Sequence, residues 1–447
     1  MINFTLTEEQ ERLRAATREF ARTELEPLVV EADQADGPTE AFQAIKPAYE
    51  TAAEMGMTFG HVPEVYGGPG MSNVDLMLAT EEIAAVDPGF GGDLAINSLA
   101  QLPIVMFGSD AQKERWLREP VEAIADGQRD YICGYVVSEG QTDEEYGGTA
   151  NFDHPGEHPA GMGLTAEYDE AAGEYVLAGR KYWPANAAGW DGGGADQSLF
   201  VVRTDPRAGG TSGLSALIVP GGTDGISYEP IEKTAFETTQ NVEVVCENAR
   251  VPEENLLTEG AGDLVINQVF SASGPGVAIT AVGCARAAYE YVLEYAKEYT
   301  AGGSTPIFDH QAVGYELFDV GAKIEACRAL CWKAAHYLDE NGVNAGAAVL
   351  SPMAKVFVTE TCVEAIHDCV RVMGINAVDA DHPVWRLFED AAVLPMLDGS
   401  NLGMQRKKAW GVMANAQFDP DMFVANHDFE YDTSMEGKGL DTTTGDR

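Results

Sequence analysis

Basic residues are scarce in this chain. Lys and Arg together number 28 against 72 Asp and Glu, a formal net charge of −44 over 447 residues, and only 11 of the cations are lysines. A nucleic-acid partner is disfavoured, because little here would neutralise phosphates. The acidity runs along the whole chain, which points to a protein made for concentrated salt, where the Debye length shrinks to about 3 Å and self-repulsion is screened. The plainer alternative is a solvated acidic surface that serves solubility. The first reading expects the melting temperature to rise between dilute buffer and molar KCl; a flat or falling trend would refute it. No run of about 18 apolar residues and no basic start leading into an apolar stretch is present, so neither a membrane span nor a secretory signal is expected, and the expected compartment is the cytoplasm. The seven cysteines include no CxxC pair, which suits neither a disulfide framework nor a zinc site, and no metal is expected. They read as small buried residues, with Cys327 and Cys331 on one helix face as packing. GxGxxG, P-loop, HExxH and GxSxG motifs are missing as well, which removes the usual support for Rossmann dehydrogenases, P-loop NTPases, zincins and α/β-hydrolases.

What is present falls into three parts. Thr7 followed by Gln10 makes a capping box, with Leu13, Ala16, Phe20 and Ala21 on one helical face behind it. Helical patterning continues to about residue 127, interrupted by Tyr66-Gly67-Gly68-Pro69-Gly70. From about residue 129 the period changes, with β-rich runs at 199–202, 214–219 and 242–246 between Gly, Pro and Asp clusters. Long helices are expected over 277–298, 319–341 and 352–373, and the residues after 415 lack periodicity and read as a surface-wrapping or disordered tail. The domain reading is 1–128 helical, 129–256 β, 257–415 helical and 416–447 tail. His310 and His336 lie in or near helices and read as structural.

Several segments, in this order, resemble the acyl-CoA dehydrogenase superfamily: Phe4 to Gln10 with Arg18-Glu19-Phe20, Asn97-Ser98-Leu99 with Pro103-Ile104, Val251 to Leu256, and Asp390-Ala391 followed by Leu397-Asp398-Gly399-Ser400-Asn401. The resemblance covers about residues 3–412 and implies an α+β fold of three domains: an N-terminal helical domain, a middle β-barrel or sandwich, and a C-terminal four-helix bundle. It implies FAD as cofactor. It also implies cofactor-binding roles for Tyr135, Val137 and Ser138 on one strand, for Trp183, Ala185 and Asn186 on another, and for Gly374, Ser400 and Asn401. Gly302-Gly303-Ser304 through His310-Gln311 resembles the segment that reaches a neighbouring subunit's FAD, which implies a homotetramer.

Asp398 stands where the superfamily has its catalytic carboxylate. Most members place glutamate there; aspartate, together with Ser273 on the long helix, is similar to the nitroalkane oxidase branch. Asp398 is thus the expected base and Ser273 its neighbour in catalysis, acting α to an electron-withdrawing group on a nitroalkane or an acyl-CoA thioester, with nitroalkane favoured. Oxygen or an electron-transfer flavoprotein would reoxidise the flavin. Three departures stand out: Ala185 where a hydroxyl residue is usual, Gln405 where the branch has an arginine, and Ala301 and Gln240 where arginines near the FAD phosphates are expected. They keep open an acyl-CoA dehydrogenase proper, an inert half-site subunit of a heteromeric flavoprotein, and a flavin monooxygenase of the same fold. The acidic segment Gly140-Gln141-Thr142-Asp143-Glu144-Glu145-Tyr146 replaces a loop that helps hold thioester substrates, and its carboxylates would repel CoA phosphates in dilute buffer.

Overall fold

The chain begins its first helix, Glu8–Phe20, at the expected capping box: the Thr7 hydroxyl accepts from the Gln10 amide, and the Gln10 side chain accepts from the Thr7 amide. The buried face differs by one position from the pattern read in the sequence. Ala16 is exposed and Thr17 is buried in its place, its hydroxyl satisfied by the Leu13 carbonyl at 2.9 Å. The computed structural model describes residues 4–139, 162–205, 207–208, 213–415 and 418–420. The acidic segment Gly140 to Tyr146 and nearly all of the expected tail lie outside the described residues.

Helices occupy the chain up to Glu119–Ala125, and strands then take over: β1 (Cys133–Val136), β2 (Thr165–Asp169), β3 (Glu174–Ala185), β4 (Gln197–Arg203), β5 (Leu214–Pro220), β6 (Ile226–Pro230), β7 (Asn241–Pro252) and β8 (Leu256–Thr258). They form one mixed sheet in the order β6-β7-β3-β2-β4-β5-β8, with β1 added parallel to β4. The expected barrel or sandwich is thus a single hydrogen-bonded path that bends over its own apolar face, where Leu177 and Val244 pack in one cluster with Phe200 and Leu217. Alternate residues of the same strands, Leu199, Val201, Ala216 and Ile218, pack against helices. Both faces of β4 are therefore covered, which is why its pattern is a continuous apolar run.

Three long helices follow, Gly262–Glu298, Gln311–Asn341 and Ala347–Met373. The first begins 15 residues before the expected start, at Gly262 rather than Val277, because Gly274 and Pro275 read as breakers. Packing overrides them: a side chain at Gly274 would meet the Ser351 hydroxyl at 2.4 Å, so glycine is what lets two helices touch here. All seven cysteines are buried and free, with Cys284, Cys327, Cys331, Cys362 and Cys369 in the core of this bundle. Pro88–Phe107 and Gly262–Glu298 are long and apolar enough to cross a membrane, yet 56% and 67% of their apolar windows are buried inside the protein. They are core helices.

The N-terminal helices are fastened to the bundle by charge. Glu82, on the helix Asn73–Ala84, accepts from Arg14, Arg18 and Arg286 at 2.7 to 2.9 Å, and Glu81 pairs with Arg286 and Arg328 at 2.9 Å. Trp190 ties the same helical region to the sheet, stacking on Phe42 at 4.4 Å and donating to the Asp130 carbonyl at 2.8 Å.

Candidate active site

Asp398 lies on a short connection between the helix Val384–Val393 and the C-terminal helix Arg406–Met413. Three consecutive residues there have left-handed backbones: Asp398 (φ 50°), Gly399 (φ 75°) and Ser400 (φ 67°). For a non-glycine residue that conformation costs on the order of 1–3 kcal/mol, so the surroundings must impose it. Lys355, fully buried on the Ala347–Met373 helix, does much of this: its ammonium donates to the carbonyls of Pro395 (3.1 Å) and Leu397 (2.8 Å) and to Asn401 Oδ1 (2.7 Å). The Gln405 amide donates to the Asp398 carbonyl at 2.7 Å, and a wide turn from the Met404 amide to the Gly399 carbonyl (2.9 Å) closes the loop. A side chain at Gly399 would meet the Met404 sulfur at 2.7 Å.

The carboxylate is held as tightly as its backbone. Ser273 Oγ, on the Gly262–Glu298 helix, donates to Asp398 Oδ2 at 2.6 Å. Burial raises the carboxyl pKa above its ordinary value, opposed by the Ser273 hydrogen bond and by the charges of Lys355 and Lys408. Burial likewise lowers Lys355 to about 8 and Lys408 to about 7, with Asp398 acting against it in both. The Tyr135 hydroxyl of β1 faces this group closely enough to feel its charge, and it is buried with no hydrogen-bond partner among the described residues. A base so placed, desolvated and aimed by the Ser273 hydroxyl, can take a proton from carbon.

The family models for the acyl-CoA dehydrogenase N-terminal domain and C-terminal domain match residues 7–123 and 260–407. The chain belongs to the acyl-CoA dehydrogenase family. It is a flavoprotein oxidoreductase of that superfamily and has the family's three-part fold. Nitroalkane oxidase of Fusarium oxysporum is 29% identical over 439 residues, covering 94% of this chain and 97% of that protein. An acyl-CoA dehydrogenase of Bacillus subtilis is 31% identical over 399 residues, covering 89% and 96%. Among solved structures, a nitroalkane oxidase active-site mutant crystallised with 1-nitrohexane superimposes with TM-score 0.88 at 27% identity, covering 95% of this chain and all of that one. Butyryl-CoA dehydrogenase of Megasphaera elsdenii gives 0.79 at 28%, covering 93% of this chain and 100% of its own.

The family's cofactor is FAD, and the ends of β1 and β3 offer an aromatic surface and an unsatisfied hydroxyl that suit a flavin. Trp183 sits at a register shift between β3 and β7 with φ 77° and is 49% exposed, its ring meeting that of Tyr182 edge-on at 5.4 Å. The Tyr182 amide donates to the Ser138 carbonyl at 3.0 Å, which joins that strand to the end of the one carrying Tyr135. The unpartnered Tyr135 hydroxyl then gives the same region a polar group still to be satisfied.

The other expected site residues divide into four groups. Val137 contributes its side chain to the core, and its carbonyl accepts from Lys181 at 3.0 Å. Ala185 and Asn186 end β3 against the N-terminal helices: Asn186 (φ 60°) donates to the Asp93 carbonyl at 2.9 Å. Beside Asp398, Ser400 accepts from the Leu402 amide at 3.3 Å, and Asn401 spends both ends of its amide on Lys355, Thr359 and Glu360, so its side chain holds the loop. His310, Gln311 and Gly374 are exposed and remote. At about 1.5 Å per helical residue, Glu298 lies roughly 37 Å along its helix from Ser273, and Met373 roughly 27 Å from Lys355, so one chain does not bring them to Asp398. Gln240 is buried against Thr39 (3.2 Å), and Ala301 is exposed with φ 49°.

Lys355 and Lys408 were not among the residues singled out in the sequence. A signal existed for the first: it interrupts the apolar stretch Leu350 to Val358, which a solvated lysine would not do.

Proposed function

We propose that this protein oxidises a small carbon acid of the nitroalkane class, with Asp398 as the base. A C–H bond next to the nitro group breaks, its proton goes to the Asp398 carboxylate, and the electron pair stays on the substrate, delocalised over the nitro oxygens. Bound FAD supplies the two-electron acceptor. The observation that carries the reading is the pair Ser273–Asp398 at 2.6 Å. An aspartate needs its partner close to be aimed, and the hydroxyl stabilises the ionised form that accepts the proton.

Ser273 orients the base, Lys355 and Gln405 fix the loop that carries it, and Trp183 and Tyr135 offer an aromatic face and a hydroxyl to the cofactor. His310 and Gln311 would join a second copy's site, in keeping with the homotetramer that the family resemblance implies. The exposed Tyr315 and Phe318 on the same helix support a copy interface there. The 31% identity to an acyl-CoA dehydrogenase keeps one other reading in view, a thioester substrate deprotonated by the same aspartate.

Anaerobic mixing separates the two. Bleaching of the yellow protein by nitroethane or 1-nitrohexane, and not by butyryl-CoA, is the expected result; fast bleaching by micromolar butyryl-CoA would restore the thioester reading.

A further inference from the structure

Asp390 stands on the helix Val384–Val393, which runs on into the loop of Asp398, and its buried carboxyl takes no part in the chemistry of the base. Its Oδ1 accepts from the Phe236 amide at 2.7 Å. Phe236 belongs to the segment between β6 and β7 and sends its ring into the core of the helical bundle. Its backbone is left-handed (φ 56°), a conformation that a residue with a side chain holds only where its neighbours impose it.

The same segment is pinned from several sides. The Lys233 ammonium donates to the carbonyls of Phe236 and Thr239, the latter at 2.6 Å. The Thr238 hydroxyl donates to Asp87 Oδ1 at 2.6 Å and the Thr239 hydroxyl to the Gly89 carbonyl at 2.9 Å, which ties the segment to the start of the helix Pro88–Phe107. Arg386, one turn before Asp390, donates to Asp87 Oδ2 at 3.2 Å. A piece of the sheet domain is thus held from the N-terminal helices and the C-terminal bundle at once.

The far end of the segment reaches the turn at the end of β3. The Gln240 carbonyl accepts from the Asn186 amide at 3.2 Å, and Asn241 Nδ2 donates to the Trp183 carbonyl at 2.7 Å. Trp183 (φ 77°) and Asn186 (φ 60°) are left-handed as well. Two strained stretches, one carrying Phe236 and the other the Trp183 indole, are therefore bonded to each other.

We propose that Asp390 is a positioning residue for the flavin-facing turn: by holding the Phe236 amide it fixes segment 233–241 and, through Asn241, the backbone of Trp183. The helix that leads to the base thereby also sets the aromatic surface offered to the cofactor. The inference rests on the reading of Trp183 as that surface.

Burial raises Asp390 to about 7, with Asp87 adding to it and the Phe236 amide and Arg386 opposing it. Near neutrality asparagine, which keeps an oxygen for the Phe236 amide, is a close replacement, whereas alanine leaves that buried N–H without an acceptor.

Hydrogen–deuterium exchange with peptide mass spectrometry, on the holoenzyme without substrate, tests this in wild type, Asp390→Ala, Asp390→Asn and Asn241→Ala. Asp390→Ala is expected to speed exchange about tenfold in peptides covering 233–241 and 182–189, and Asp390→Asn to return both close to wild type. Faster exchange at 233–241 with 182–189 unmoved, or an even rise over the whole chain, would overturn the proposal. In Asn241→Ala exchange rises at 182–189; no change there overturns the link even where Asp390→Ala fails to fold. Visible circular dichroism of the bound flavin is the second readout. It shifts in both alanine variants and returns in Asp390→Asn. An unchanged flavin spectrum beside faster exchange at 182–189 would instead overturn the placement of the flavin against Trp183, so the two failures are told apart.

Discussion

Replacing Asp398 by asparagine is expected to slow substrate-driven flavin bleaching by about 10²–10⁴-fold while the protein stays folded and yellow. The amide is nearly isosteric and its oxygen can still accept from Ser273, so the hydrogen bond at 2.6 Å has a successor. The Gln405 and Lys355 contacts to the loop are made to backbone carbonyls and to Asn401, none of which the substitution touches. What disappears is the ability to accept a proton. Stopped-flow absorbance at the flavin band gives the rate; bleaching close to the wild-type rate would remove Asp398 from the mechanism.

The second large effect is on stability. Glu82→Ala is expected to lower the unfolding free energy by about 1.5–3 kcal/mol, the range for losing charge-assisted hydrogen bonds, because Arg14, Arg18 and Arg286 lose their shared acceptor while Arg286 keeps Glu81. Urea titration followed by circular dichroism reads this directly, and a loss below about 1 kcal/mol would show the network to be dispensable. Burial opposes ionisation of Glu82, but hydrogen bonds and charge from Arg18, Arg286 and Arg14 outweigh it and hold the carboxyl at about 2. The folded pKa is thus below the ordinary 4.5, so the stability from this group is fully present above about pH 4.5 and is lost as pH falls through about 2. The acid-unfolding curve of Glu82→Gln should lack the component that wild type shows in that window.

The three-part order of the fold was legible because the hydrophobic period switches from helical to strand near residue 129 and back to helical after the β region. The start of the first long helix was not, because Gly274 and Pro275 act locally as breakers, and only the contact with Ser351 reverses that. Asp398, Gly399 and Ser400 stood out as a motif, but their shared left-handed backbone is a product of Lys355 reaching in from another helix. A single sequence cannot show which lysine is buried. In an acidic chain with 11 lysines, however, one flanked by apolar residues is worth suspecting; Lys181 in β3, fully buried and paired with Glu139 at 2.8 Å, follows Arg180 and gives no such signal. The family resemblance drew attention to Asp398 and Tyr135. It was silent on Lys408, since that residue lies outside the motifs that carried the resemblance.

The central claim is that a carbon-bound proton moves to Asp398 as the flavin is reduced. The most direct measurement is the primary deuterium isotope effect on anaerobic flavin bleaching with 1,1-dideuterated nitroethane, compared in wild type and Asp398→Asn. The account predicts clearly slower bleaching with the deuterated substrate in wild type, and a further collapse of the rate in the variant. Equal rates for the two isotopologues, combined with an Asp398→Asn rate close to that of wild type, would contradict it.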